Sequence, residues 1–105
     1  MPRLVYLDAA KQDLIAIAHF IKKESSSSSI AVEYTKRIRV FCRGLTAPET
    51  SQRGTDRSEL LPNIRSEAFG NYVIFFRYKD DRLEIVNILE GHRDIAFHFT
   101  VNPPI

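Results

Sequence analysis

Between Leu61 and Asp94 the chain sets three apolar runs against short polar links. The runs are Ile64–Phe69, Tyr72–Tyr78 and Leu83–Leu89, divided by Gly70-Asn71 and by Lys79-Asp80-Asp81-Arg82. β-branched and aromatic residues fill the runs and turn formers separate them, which predicts a meander of three antiparallel strands. In the middle run Tyr72, Ile74, Phe76 and Tyr78 fall on one side, and Val73, Phe75 and Arg77 on the other. Both sides are rich in apolar groups, so both need cover.

Upstream the period changes. Arg3–Leu7 is a short apolar run that reads as a strand added to the edge of the meander. Asp8 is placed to cap a helix over about Ala9–Lys23. There Leu14, Ile17, Ala18 and Ile21 recur at i, i+3, i+4, i+7, while Lys11, Gln12, Asp13 and Lys22 fall mainly outside the stripe. The serine run Ser25–Ser29 interrupts it, because serine competes with the backbone for hydrogen bonds. Ser28 or Ser29 then caps a second helix over about Ile30–Arg43, with Ile30, Tyr34, Ile38, Phe41 and Leu45 as its stripe and Gly44 and Pro48 at its end. Two such helices on a short loop form an antiparallel hairpin that covers one side of the sheet. The other side is expected to keep an apolar hollow around Val73 and Phe75, with Arg77 at its rim. Thr46–Leu60 reads as a polar connection. In the tail, alternating Ile95, Phe97, Phe99 and Val101 suggest a short extra strand, ended by Pro103-Pro104. The fold class is α+β: a strand, a two-helix antiparallel hairpin and a three-stranded antiparallel meander in one sheet.

Composition narrows this picture in a few respects. At 105 residues the chain is read as one domain, residues 1–105, with apolar content sufficient for a core. The lone Cys42 excludes an intrachain disulfide and a multi-thiolate metal site, and beside Phe41 it reads as a buried structural thiol. No run has the length of a signal peptide core or a membrane span, so a cytoplasmic protein without membrane contact is expected. A net charge of +2 permits an acidic partner or nucleic acid and requires neither.

The chain carries no metal-ligand spacing, no P-loop, no dinucleotide turn and no serine elbow, and no cofactor is expected. His19 and His98 read as partly buried structural residues. Arg65, Arg77, His92 and Arg93 form the one suggestive group. Hairpin pairing is expected to set Arg65 and Arg77 toward opposite ends of neighbouring strands. Arginines with a histidine suit a phosphodiester and a proton transfer. The plainer alternative is that they pair with Asp94, Glu67, Glu84 or Glu90 at the rim. The outer face of the second helix carries Lys36, Arg37, Arg39 and Arg43, read either as a solvated polar face or as a basic stripe for an acidic peptide.

Three stretches carry a family likeness: YLDAAKQDLIAIAHFI, LLPNIRSEAFG and NYVIFFRYKDDRLEIVNILEGHRD. Their order, and the strand ending in arginine, acidic turn and Gly-x-Arg-Asp of the last, resemble the RelE/ParE superfamily of toxins from type II toxin–antitoxin systems. The motif positions fall on Arg65, Arg77, Gly91, Arg93 and Asp94. The lysine-rich linker of the ribosome-dependent RNase branch is missing, since Arg53 and Arg57 stand there instead. The likeness therefore favours the ParE branch, whose studied members inhibit DNA gyrase by binding. It implies a cognate antitoxin, acidic and partly disordered, that folds across the open sheet face and the basic stripe. It also leaves two alternatives. One is a ribosome-dependent mRNA endonuclease, with His92 or His98 as base and Arg65, Arg77 and Arg93 on phosphate. The other is an inactive antitoxin-binding member, because Glu90 stands where relatives often have histidine or another neutral or basic residue.

Overall fold

The computed structural model describes residues 2–47 and 53–104. Its elements in chain order are β1 (Arg3–Tyr6), α1 (Asp8–Ser25), α2 (Ser28–Gly44), β2 (Thr55–Asp56), β3 (Arg65–Phe69), β4 (Tyr72–Lys79), β5 (Arg82–Glu90) and α3 (Ile95–Val101). The strands form one sheet in the order β1-β5-β4-β3-β2. The meander β3-β4-β5 is antiparallel, with two-residue links at Gly70-Asn71 and Asp80-Asp81. β1 lies on its edge, parallel to β5, from Arg3 opposite Arg82 to Tyr6 opposite Ile85. The helical hairpin carries the chain between these two places.

The first core lies between the hairpin and one sheet face. Ala10, Leu14 and Ile17 of α1 and Ile38 and Cys42 of α2 meet Tyr72, Ile74, Phe76, Leu83, Ile85 and Ile88. The last three residues break a strict alternation. Phe75 pairs with Asn87 but Phe76 with Ile85, so Val86 is an extra residue in β5. This bulge resets the phase and lets Ile85 and Ile88 both face the helices. Beyond Ile85, β5 has lost its β1 neighbour, and the carboxylate of Asp13 takes over. Its Oδ2 accepts from Ile88 N at 2.8 Å and from Asn87 Nδ2 at 2.9 Å.

The expected hollow on the other face is filled. Phe75 is completely buried, in a second core with Ile64, Val86, Leu89 and Phe99, flanked by Leu7, Leu60, Leu61, Val73 and Ile95. The cover comes from the 57–64 loop and from the tail, which is a helix where alternation suggests a strand. Ile95, Phe97, Phe99 and Val101 satisfy i, i+4 spacing as well as period two. With Asp94 accepting from Phe97 N to cap the turn, the helix seats Ile95 and Phe99 on the sheet.

Smaller departures are local. Asp8 is the first residue of α1 and makes no capping bond. Ser27 rather than Ser28 or Ser29 caps α2, its Oγ accepting from Ile30 N at 3.2 Å. The buried line of α2 is Ala31, Thr35, Ile38 and Cys42, and Ile30 is exposed. Small side chains on that line let the helices approach. His19 is exposed, on the solvent side of α1. Pro48 lies outside the described residues.

Candidate functional site

The antiparallel register puts Arg65 opposite Phe76, so Arg65 and Arg77 stand at the same end of the sheet rather than opposite ends. Alternation then divides them. Arg65 shares a face with Phe76, and Arg77 shares the other with its register partner Glu84. Each is engaged. Arg65 donates from Nε to the Arg53 carbonyl at 2.7 Å and from Nη2 to the Gly54 carbonyl at 2.9 Å, tying down the segment that enters β2. Gly54 makes this approach possible. Its φ is +78°, and a Cβ there would meet the Ser66 carbonyl oxygen at 2.7 Å.

Arg77 donates from Nε to Glu84 Oε1 at 2.7 Å, and Arg82 reaches the other oxygen at 3.1 Å. Burial works against the Glu84 charge. The Arg77 hydrogen bond and the charges of Arg77, Arg82 and Lys79 outweigh it, and the carboxyl is held below the ordinary glutamate range. Nearby Arg57 donates to Glu59 and Ser66 and lies over the Phe75 ring, so the loop that closes the second core is also arginine-held.

His92 and Arg93 are at the other end, past Glu90, which pairs with Tyr72. Five residue steps along β4, from Tyr72 to Arg77, separate the two ends by roughly 16 Å. His92 is 83 % exposed, 3.9 Å from Glu90, and Arg93 is exposed as well. His98 sits on α3. The fold does not bring Arg65, Arg77, Arg93 and a histidine around one phosphodiester. Of the two apolar residues expected at a partner surface, Val73 is half-buried and Phe75 is sealed beneath Phe99.

The helical hairpin presents a different surface. Lys36, Arg37, Arg39 and Arg43 all lie on the exposed side of α2. Arg37 leans over the Phe69 ring, 5.9 Å from its centroid. Among these cations stand Val32 and Val40, 64 % and 65 % exposed, and α1 adds exposed Ile15. A groove of about 360 Å³ is lined by Tyr6, Lys11, Leu14, Ile15, Ala18, Thr35 and Arg39. An apolar floor with a cationic rim suits an amphipathic acidic segment: apolar side chains fill the floor, and carboxylates meet the rim. Ile15, Val32 and Val40 escape a reading based on buried stripes. Their signal is that each is apolar and out of phase with its helix's buried line. Among the described residues no group of three or more His, Cys, Asp or Glu is placed to hold a metal ion.

Known proteins give independent bearings. The sequence profile of one family, described as the ParE toxin of type II toxin-antitoxin system, parDE, matches residues 4–95. Comparison with curated protein sequences finds no match. A solved structure described as a chromosomal ParDE TA system from P. aeruginosa is similar in fold, with a TM-score of 0.75 at 19 % identity. The similarity covers 86 % of this chain and 96 % of that one.

Proposed function

Because the chain belongs to the ParE toxin family of type II toxin–antitoxin systems, we propose that it poisons DNA gyrase by binding and is neutralised by a cognate acidic antitoxin, partly disordered when free. The observation that carries this reading is the family match, which runs from β1 through the meander to the first residue of α3. The geometry supports a binder. Arg65 and Arg77 are committed to holding the sheet end together, and His92 and Arg93 lie far from them. We assign antitoxin contact to the hairpin surface of Lys11, Ile15, Val32, Lys36, Arg39 and Arg43, where apolar and basic groups alternate. His92 and Arg93, exposed and free of the second core, are assigned to the target side. This reading places the protein in the cytoplasm; among the described residues no helix is long and apolar enough to cross a membrane.

The test is DNA supercoiling by purified gyrase with and without the toxin. Inhibition that the antitoxin reverses is expected. Unaffected supercoiling at micromolar toxin overturns the gyrase assignment. New mRNA ends in the ribosomal A site, read by primer extension, would transfer the assignment to translation. Growth unaffected by expression without antitoxin would mark an inactive member.

A further inference from the structure

The helix that closes the second core has a slight hold on it. α3 has seven residues, well below the length at which an isolated helix persists in water. Phe99 is its buried anchor, standing edge-on to Phe75 at 5.1 Å, with Ile95 half-buried beside it. Phe97 and Val101 point outward, 61 % and 53 % exposed. The helix therefore places two apolar side chains on the sheet and leaves two in water.

His98 lies next to the anchor. Its ring stands edge-on to Phe99 at 5.3 Å, and its Nε2 is buried with no hydrogen-bond partner. A neutral imidazole can occupy that place. An imidazolium is disfavoured there, because its Nε2–H would be shut off from water and left without an acceptor. The charged groups facing the ring are Arg93, in the turn ahead of α3, and Asp13 on α1. Asp13 turns its Oδ2 to Ile88 N and Asn87 Nδ2, and it accepts nothing from His98 Nε2.

We propose that α3 is an acid-sensitive latch: with His98 neutral it masks the apolar face of Val73, Phe75, Val86 and Leu89, and protonation of His98 in the undocked helix uncovers that face. The direction follows from linkage. Burial, and then Arg93, pull His98 below the ordinary histidine value of 6.5, with Asp13 pulling weakly the other way. The undocked imidazole thus takes a proton more readily than the docked one. Docking is complete above that ordinary value and weakens as pH falls below it. This inference does not depend on the toxin's target.

Amide hydrogen exchange on the full chain tests it, comparing about pH 7.5 with about pH 5.5 and correcting for intrinsic rates. Protection of the amides from His98 to Asn102 is expected to fall at the lower pH, by at most about tenfold per pH unit, while β4 stays unchanged. His98→Gln should remove the pH dependence and leave α3 docked. Phe99→Ala should strip protection from α3 at both pH values, marking the unlatched state. Equal protection of wild-type α3 at the two pH values overturns the proposal, as does the same loss in His98→Gln.

Discussion

At the scale of single residues, Glu84 and Cys42 show how burial decides chemistry. Glu84 is 5 % exposed, and two guanidinium groups hold it. Removing it leaves Arg77 and Arg82 without their counter-charge, and because both guanidinium groups keep some contact with water, Glu84→Ala should destabilise the fold by about 1–3 kcal/mol in urea denaturation. The sign of the pH effect follows from its lowered pKa. The Glu84 contribution is complete above the ordinary glutamate value of 4.5 and is lost as pH falls through the folded value. Acid titration of wild type and Glu84→Gln should therefore converge at low pH. Burial pushes the Cys42 thiol up to about 11, with the Tyr6 hydroxyl pulling weakly against it. The native protein should resist a thiol reagent at about pH 8 and react once unfolded, because the thiolate is the reactive form. The roles of Glu84 and Arg77 as pair partners were visible as an alternative in the sequence. Choosing it required the register that sets them opposite each other.

At the scale of elements, the bulge in β5 and the clamp from α1 form one unit. Val86 is the extra residue that turns Ile88 toward the helices, and Asp13 bonds the Ile88 N–H on an edge that β1 has left. Asp13→Ala leaves the buried Asn87 side chain and one strand amide short of an acceptor. It should cost about 1–3 kcal/mol, with faster exchange at Ile88. In the sequence Asp13 is one polar residue outside an apolar stripe, and Asn87 is one polar residue inside an apolar run. Neither shows that it meets the other, 74 positions away. α2 and α3 carry the same lesson in different forms. Ser27→Ala removes the oxygen that accepts from Ile30 N and should lower stability by about 1 kcal/mol. A serine run says that some serine will cap; only the turn geometry selects which one.

At the scale of the whole molecule, both sheet faces are covered and, among the described residues, the hairpin face combines exposed apolar and basic side chains. On the toxin reading, Arg39→Glu with Arg43→Glu should slow association with the acidic antitoxin on the order of tenfold and flatten its salt dependence. Both side chains are exposed, so the melting temperature should change little. Stopped-flow association at two ionic strengths checks both effects. Unchanged kinetics would move the antitoxin contact elsewhere on the molecule.

Local pattern alone determined the strand, the hairpin and the meander, because period 2, period 3.6 and turn formers act over a few residues. It also determined which face of β4 meets the helices. Tertiary structure decided the rest. Period two in the tail suited a strand as well as a helix, and the uncovered face of Val73 and Phe75 selected the helix. That same choice turned an expected open hollow into a second core, and the docking of α3 placed His98 where a charge is unwelcome. Residues distant in sequence decide such outcomes by competing to bury one surface, and no local window contains that competition.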